Sequence, residues 1–542
     1  VVPSTTVVTS PRARADQPIG IAARAGESAT ETRLEWVEGG VRLPGERDAP
    51  AQVTLTAADG TELVVNGQPT ATARQLGLAP LVGVSAAHGN SVTGVLRRLP
   101  QDTVNARLTI DTALQAASVR VLDCVGHHNG HFERSACVRG QAAPDERRTA
   151  IVMLDADTGA IVTAAAAPLV NAGGAPRDWL AVDRYHPGRS LLRWTPWVHD
   201  GGGRFTPGSA FKVIDSLAFE ALAKSSSGLE RVLAGQNGAA ADWAYSKGLQ
   251  FSMESACYPA PCAGSQAQVT NFRDHTPEQY SGGGGFGLPQ ALGYSLNTWY
   301  SMLVESTDVA AEGGHSDMRG LTPSALTTLR PTLAMAERLG FNRAWRLDGG
   351  LLPASMNLRP EDLLLTTPSR VDPIVDLGDV RRLALGLRMQ ATTLQMAVVA
   401  ASVATGSVAT PTLLASIDGR LAVPHREALG VRTDRIRAGM ALAVSSGTAR
   451  GAFARRELDN VRRLVWGKTG TAPHGDEARN NAWFVGGIEA GGIPGQNRRL
   501  VFAVQVSNTG SGETGGTRAA TVVAELLSQL QVAAASTQKI GH

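Results

Sequence analysis

The sequence predicts an α/β (α+β) protein with a central antiparallel sheet flanked by helices, preceded by a smaller, mainly β module. Three observations predict it. The 542 residues exceed what one hydrophobic core usually holds, so at least two units are expected. Residues 51–65, "AQVTLTAADGTELVV", alternate apolar and polar on both sides of Asp59-Gly60, a hairpin signal near the N-terminus. Beyond about residue 145, strand-like runs lie at both ends with helical patterns between them. One sheet is therefore expected to be assembled from the two ends of a large domain.

Taken in order, residues 1–30 are rich in Thr, Ala, Arg and Gly without a period, and read as a flexible arm. Residues 31–105 form the β module, suited to a pedestal or docking role. "RLTIDTALQAASVRVL" (107–122) reads as a strand running into a helix, with Asp111 placed to cap it. That helix and a Cys/His loop make a linker over 106–144. The main domain runs over 145–535. It opens with "TAIVMLDADTGAIVTAAAA", two apolar runs around Asp157-Thr158-Gly159 and so another hairpin. Helices follow at about 209–224 and 289–305, separated by a polar, Gly- and Ser-rich insertion at about 225–287. "RRLVWGKTGTA", "NAWFVGGIEA" and "RRLVFAVQVS" read as an antiparallel meander, and "GTRAATVVAELLSQLQ" as a closing amphipathic helix.

Composition narrows the function classes. A hydrophobic fraction of 43% is ordinary for a folded protein. A net charge of +3 gives no reason to expect nucleic acid as a partner. No apolar run reads as a membrane span, and no secretory leader is visible. Of 51 basic residues only five are lysine: Lys212, Lys224, Lys247, Lys468 and Lys539. Arginine serves wherever plain positive charge suffices, so lysine is kept where a group must be able to lose its proton. Codon bias alone would not cluster lysines at motifs.

The four cysteines fall in two close pairs, Cys124 with Cys137 and Cys257 with Cys262. Local pairing of an even count suits disulfides in an oxidising compartment. "CVGHHNGHFERSAC" also places His127, His128 and His131 between Cys124 and Cys137, and such spacings could instead hold zinc. With the thiols paired, no metal is expected.

Three short motifs carry chemistry. In "FTPGSAFK", Ser209 precedes Lys212 by three residues, which puts both on one helix face. Pro207-Gly208 gives a sharp entry, and Ser209 falls at the helix N-terminus. The helix is otherwise apolar, so Lys212 is expected to be desolvated and able to act as a base toward a serine hydroxyl. "YSLNTW" supplies Ser295 and Asn297, early on a helix. "WGKTGTA" supplies Lys468, Thr469, Gly470 and Thr471 at a strand. A phosphate loop is excluded there: the glycine it needs five residues before Gly467 is Arg462, and a strand-like run follows, not a helix. "SGGGGFG" (281–287) reads as a lid or linker.

The order Ser-x-x-Lys, Ser-x-Asn, Lys-Thr-Gly resembles that of the penicillin-recognising serine acyl transferases. The flanks "PQALGYSLNTWY", "ERLGF" and "ATTLQMAVVAASVATGS" look like penicillin-binding transpeptidases, and the resemblance spans about 106–530. Leu296 stands where serine β-lactamases usually have Asp, which leans toward penicillin-binding proteins. No glycosyltransferase motif is present, so a monofunctional, class B-like D,D-transpeptidase is implied.

The resemblance implies an acyl-enzyme route without metal or organic cofactor. Ser209 would attack the carbonyl between two terminal D-alanines of a peptidoglycan stem peptide, with Lys212 taking its proton. Ser295, beside Lys468, would pass a proton to the departing D-alanine. Asn297 would hold the substrate amide, Thr469 and Thr471 its carboxylate, and the N–H groups of Ser209 and Thr471 the oxyanion. Gly470 would let the peptide backbone approach the strand edge. β-Lactam antibiotics would acylate Ser209. Expected partners are stem peptides, β-lactams and, through the N-terminal module, cell-wall synthesis or division proteins. The expected location is bacterial and extracytoplasmic, with a membrane anchor outside this chain. The rivals are a D,D-carboxypeptidase or β-lactamase using water, and a non-catalytic β-lactam sensor or scaffold.

Overall fold

The computed structural model describes residues 50–84, 88–140, 147–168, 194–199, 205–236, 287–311, 331–374, 377–474 and 477–540, with the short strands 5–8, 19–22, 35–37, 40–42, 252–253 and 267–268. Its centre is a five-stranded antiparallel sheet. The strand order is Ile161–Ala167, Thr149–Asp155, Leu500–Thr509, Glu477–Ile488, Val465–His474. Two strands come from the start of the main domain and three from its end, as the distribution of strand-like runs predicts. The hairpin turn after Asp155 closes at Gly159, whose φ of 77° suits a residue without Cβ.

Strand alternation divides the sheet between two cores. Val152, Leu154, Trp483, Val485, Val501 and Ala503 face one side, with the helix Thr393–Thr405. Ile151, Met153, Phe484, Phe502 and Val504 face the other, with the final helix Ala519–Ile540. Both faces are covered, so these strands read as continuous apolar runs and not as alternating ones. The inner helix is buried along almost its whole length; Thr392 caps its start and Gly406, at φ 68°, ends it. An 18-residue window of the final helix, Ala519–Ser536, is long and apolar enough to cross a membrane, which the sequence reading overlooked. More than half of it is buried against the sheet.

The N-terminal β module does form a sheet, but not from its own residues alone. Its six-stranded order is Arg420–Leu421, Leu414–Ile417, Thr103–Leu108, Gln52–Thr56, Glu62–Val65, Gln68–Pro69. Gln52–Thr56 runs parallel to Thr103–Leu108, and Leu414–Ile417 comes from deep in the main domain. Val53, Leu55, Val104 and Leu414 join the same core as Phe211 and Leu394. Asp111 caps the following helix as predicted, accepting from the Leu114 N–H at 3.0 Å.

Within residues 1–30 the described residues are two short paired strands, Thr5–Val8 with Ile19–Ala22. Their Thr, Val and Ile content favours extended backbone, a signal masked by the polar stretch between them. The helix expected over about 289–305 is two helices, Leu288–Gly293 and Asn297–Ala311, with a break at Tyr294–Leu296. Within the 225–287 insertion the described residues include the helix Ser227–Leu233, capped by Ser226.

Candidate active site

The turn that carries Ser209, the candidate nucleophile, is held by the sheet. The Trp483 indole N–H donates to the Thr206 carbonyl at 2.9 Å, and the Ala391 N–H donates to the Phe205 carbonyl at 3.0 Å. Gly208, at φ 54°, donates its N–H to the Gly386 carbonyl at 3.0 Å. A Cβ on Gly208 would lie 2.3 Å from the Thr471 carbonyl oxygen, so only glycine lets this turn sit so close to the edge strand Val465–His474. Ser209 therefore starts a short 3₁₀ turn, Gly208–Phe211, that runs into the helix Lys212–Ala223. Its side chain is half-buried while its neighbours are buried.

Lys212 and Lys468 converge on one hydroxyl. Lys468 Nζ donates to Ser295 Oγ at 2.8 Å, and Lys212 Nζ lies 3.3 Å from the same oxygen. Lys212 also donates to the Ser295 carbonyl at 2.9 Å and to Asn297 Oδ1 at 2.6 Å; Lys468 donates to the Thr469 carbonyl at 2.8 Å. The helix break makes this possible. The Leu296 N–H returns to the Ala291 carbonyl and the Ser295 N–H to that of Leu292, leaving Ser295 at φ 60°. A left-handed non-glycine residue costs roughly 1–3 kcal/mol, and such strain concentrates at functional sites. Here it turns both the hydroxyl and the carbonyl of Ser295 toward Lys212.

Both amines are completely buried. Burial pushes Lys212 well below the ordinary lysine range, the Lys468 charge pushes it further, and Asp215 opposes the shift. Burial brings Lys468 down to about 7. The Tyr300 ring lies 5.3 Å from Lys212 Nζ, and its hydroxyl is paired with Ser216 at 2.8 Å. A neutral Lys212 has two N–H groups and one lone pair. The Ser295 carbonyl and Asn297 Oδ1 match the two donors, which leaves the lone pair to receive a proton. A charged Lys468 on Ser295 Oγ lets that hydroxyl point its own proton onward. The set can thus accept a proton at one amine and supply one through Ser295.

The edge strand sorts its motif by alternation. Lys468 and Gly470 face the nucleophile side; a Cβ on Gly470 would meet the Pro207 carbonyl oxygen at 2.2 Å. Gly470 thus makes room for the nucleophile turn, a reason the sequence reading, which assigned that room to substrate, did not see. Thr469 and Thr471 point the opposite way. Thr469 Oγ1 and Thr448 Oγ1 are 2.6 Å apart, and the Gly515 N–H donates to Thr471 Oγ1 at 3.0 Å. The Gly208 N–H bonds Gly386 and the Ala210 N–H bonds Pro207, whereas the Ser209 N–H between them has no backbone acceptor among the described residues.

Sequence reasoning missed Thr448, Gly386 and Tyr300. Thr448 had a signal: it lies in the small-residue run Ser445–Ala449, where a Cβ on Gly447 would lie 2.3 Å from the Gly293 carbonyl oxygen. Such a run between a helix and the Lys468 strand marks close loop packing. A disulfide joins Cys124 to Cys137, so these thiols are not metal ligands. Cys257 and Cys262 lie outside the described residues, as does the glycine run 281–286.

Comparison with known proteins agrees with this geometry. The profile of the penicillin binding protein transpeptidase domain matches residues 260–528. That stretch holds Ser295, Asn297 and Lys468–Thr471 but begins after Ser209 and Lys212, whose place in the site rests on the contacts above. No curated protein matches. Among solved structures, the D,D-transpeptidase domain of a peptidoglycan glycosyltransferase from Eggerthella lenta is 21% identical, with 91% of this chain and 100% of that one covered and a TM-score of 0.53. An imipenem acyl-enzyme of penicillin-binding protein A from M. tuberculosis is 20% identical over 89% of this chain and 99% of that one, TM-score 0.54. Pseudomonas aeruginosa PBP2 in complex with WCK 5153 is 20% identical over 88% and 96%, TM-score 0.54. The chain thus carries a penicillin binding protein transpeptidase domain over residues 260–528, in the fold of the penicillin-binding protein structures it resembles.

Proposed function

We propose that this protein is a peptidoglycan D,D-transpeptidase that forms an acyl-enzyme on Ser209. The observation that carries the reading is the shared hydroxyl: two buried lysines meet at Ser295 Oγ, 3.3 and 2.8 Å away, beside the turn that presents Ser209. Neutral Lys212 takes the Ser209 proton as Oγ bonds to the carbonyl carbon between the terminal D-alanines. The Ser209 N–H, at the start of a helix, and the Thr471 N–H stabilise the oxyanion; one such donor is worth roughly 3 kcal/mol in the transition state. As the C–N bond breaks, Ser295 hands its proton to the departing amine and recovers one from the lysine pair. An acceptor amine then attacks the ester, its proton returns to Ser209, and a cross-linked peptide leaves. Asn297 serves a second role, since its carbonyl oxygen fixes Lys212 at 2.6 Å.

A β-lactam would follow the first half of this route and stop at the ester. The disulfide suits an extracytoplasmic location, which the family also favours. Incubation with a synthetic pentapeptide ending in D-Ala-D-Ala and an acceptor amine tests the reaction type. Exchange in excess of hydrolysis is expected; hydrolysis alone would make the protein a carboxypeptidase, and rapid β-lactam turnover a β-lactamase.

A further inference from the structure

The segment 386–391 grips the turn that carries Ser209 at both of its own ends. The Gly386 carbonyl accepts from the Gly208 N–H at 3.0 Å, and the Ala391 N–H donates to the Phe205 carbonyl at 3.0 Å. Gly386, at φ 72°, ends the helix Leu377–Ala384 in a Schellman motif. There the Leu387 N–H returns to the Arg382 carbonyl at 2.8 Å, and the Gly386 N–H to that of Leu383 at 2.9 Å. A Cβ on Gly386 would lie 1.9 Å from the Gly208 carbonyl oxygen, so that oxygen is seated against bare backbone. The consequence reaches Ser209. The Gly208 C=O and the Ser209 N–H belong to one planar trans peptide and point in opposite directions. Seating the oxygen on Gly386 therefore turns the Ser209 N–H away from the segment, where no backbone acceptor meets it among the described residues.

A buried carboxylate holds the segment itself. Asp379, on the helix that leads into the motif, is 2% exposed. Its Oδ1 accepts from Arg382 Nη1 at 2.6 Å, one turn along the helix. The same oxygen lies 3.3 Å from Arg388 Nε, two residues beyond Gly386. Arg388 Nη2 donates to the Pro373 carbonyl at 2.8 Å, and the Arg388 carbonyl accepts from the Asp372 N–H at 2.8 Å. The ion pair thus ties the helix to the chain beyond the motif and spans the peptide units that touch Gly208. A buried pair of this kind adds little net stability over a well-packed apolar contact. We propose that Asp379 is a positioning residue for acyl transfer: through Arg382 and Arg388 it fixes the segment 386–391, and with it the direction of the Ser209 N–H. This rests on the acyl-transfer reading, in which that N–H receives the oxyanion. Asp379 itself touches no reacting atom.

The test uses the full chain with Asp379→Asn and Arg388→Gln. The second variant breaks the tie from its more exposed side and leaves the Asp379–Arg382 pair in place, so it folds even where the first does not. Rapid mixing with a chromogenic β-lactam separates the affinity of the non-covalent complex from the rate constant of acylation. Losing an oxyanion donor outright costs roughly 100–1,000-fold, so misdirecting one should slow acylation about tenfold or more, with affinity unchanged to about twofold. A boronic acid, whose tetrahedral adduct with Ser209 places an oxygen where the oxyanion forms, should lose affinity by the same factor. Arg388→Lys, which keeps a cation beside Asp379, should recover part of the rate. An acylation rate constant at the wild-type value in Arg388→Gln, or a fall in affinity that accounts for the whole effect, overturns the inference. A wild-type chain that β-lactams never acylate sinks the acyl-transfer reading instead. Hydrogen exchange then still decides whether Asp379 holds the turn: the variants should exchange faster over 205–211 and at the wild-type rate in the final helix, and equal exchange over 205–211 overturns it.

Discussion

At the scale of single residues, the site works because two identical amines are placed in unequal surroundings. Lys212 is buried and faces the charge of Lys468, and both effects favour its neutral form; burial alone brings Lys468 down to about 7. The rate of acylation should therefore rise with pH as Lys212 becomes neutral and fall as Lys468 loses its charge. In kcat/KM the falling limb should lie near pH 7. With a carboxylate substrate bound it should move to higher pH, because a nearby anion favours the ammonium. Removing the cation by Lys468→Met should raise the Lys212 pKa and shift the rising limb to higher pH, along with a large loss of rate; an unmoved limb would mean that the lysines do not sense each other. Ser295 carries a separate prediction. Glycine there would relieve the left-handed strain and add roughly 1 kcal/mol or more to stability, read by denaturant melts, while acylation slows by about 100-fold or more. The lysine pair was legible in the sequence because arginine had replaced lysine almost everywhere else. The backbone strain of Ser295 was not, since nothing in "YSLNTW" distinguishes a helix from a helix break without the tertiary contact that rewards it.

At the scale of elements, bare backbone decides how the nucleophile turn meets the edge strand. Gly208 and Gly470 interlock: a Cβ on either would lie within 2.3 Å of a carbonyl oxygen of the other element. Gly208→Ala must therefore both strain its φ and push the strand away. It should cost roughly 1–3 kcal/mol or more and abolish acylation, measured by melts and by labelled penicillin. The linker loop behaves differently. Cys124 and Cys137 close a loop of sequence separation 13 well outside the lysine–serine cluster. Replacing both with serine should cost roughly 2–3 kcal/mol on the chain-entropy account, with acylation unchanged in the folded protein. The elements around Lys212 and Lys468 could be read from periodicity, and the hairpins from their Asp-Gly and Thr-Gly turns. The role of Gly470 could not, because a glycine in a strand motif marks a close approach without saying from which side.

At the scale of the whole molecule, one core joins what the sequence divides. The strand Leu414–Ile417 completes the sheet begun by Gln52–Thr56 and Thr103–Leu108, and its side chains pack with those beneath the nucleophile helix. Such a pairing joins residues some three hundred positions apart and leaves no local trace, which is why the module read as separable. Calorimetry should show the β module and the catalytic sheet unfolding in a single transition; two resolved transitions would contradict the shared core. The strand ends and the three motifs nonetheless foretold that residues 212, 295 and 468 meet, because each sits where a helix start or strand edge can face the same space. The most direct check of that claim is the intact mass of the protein after exposure to a penicillin. The account predicts one adduct per chain, mapped to Ser209 and absent from Ser209→Ala; an unmodified wild type, or a Ser209→Ala chain that still gains the mass, would contradict it.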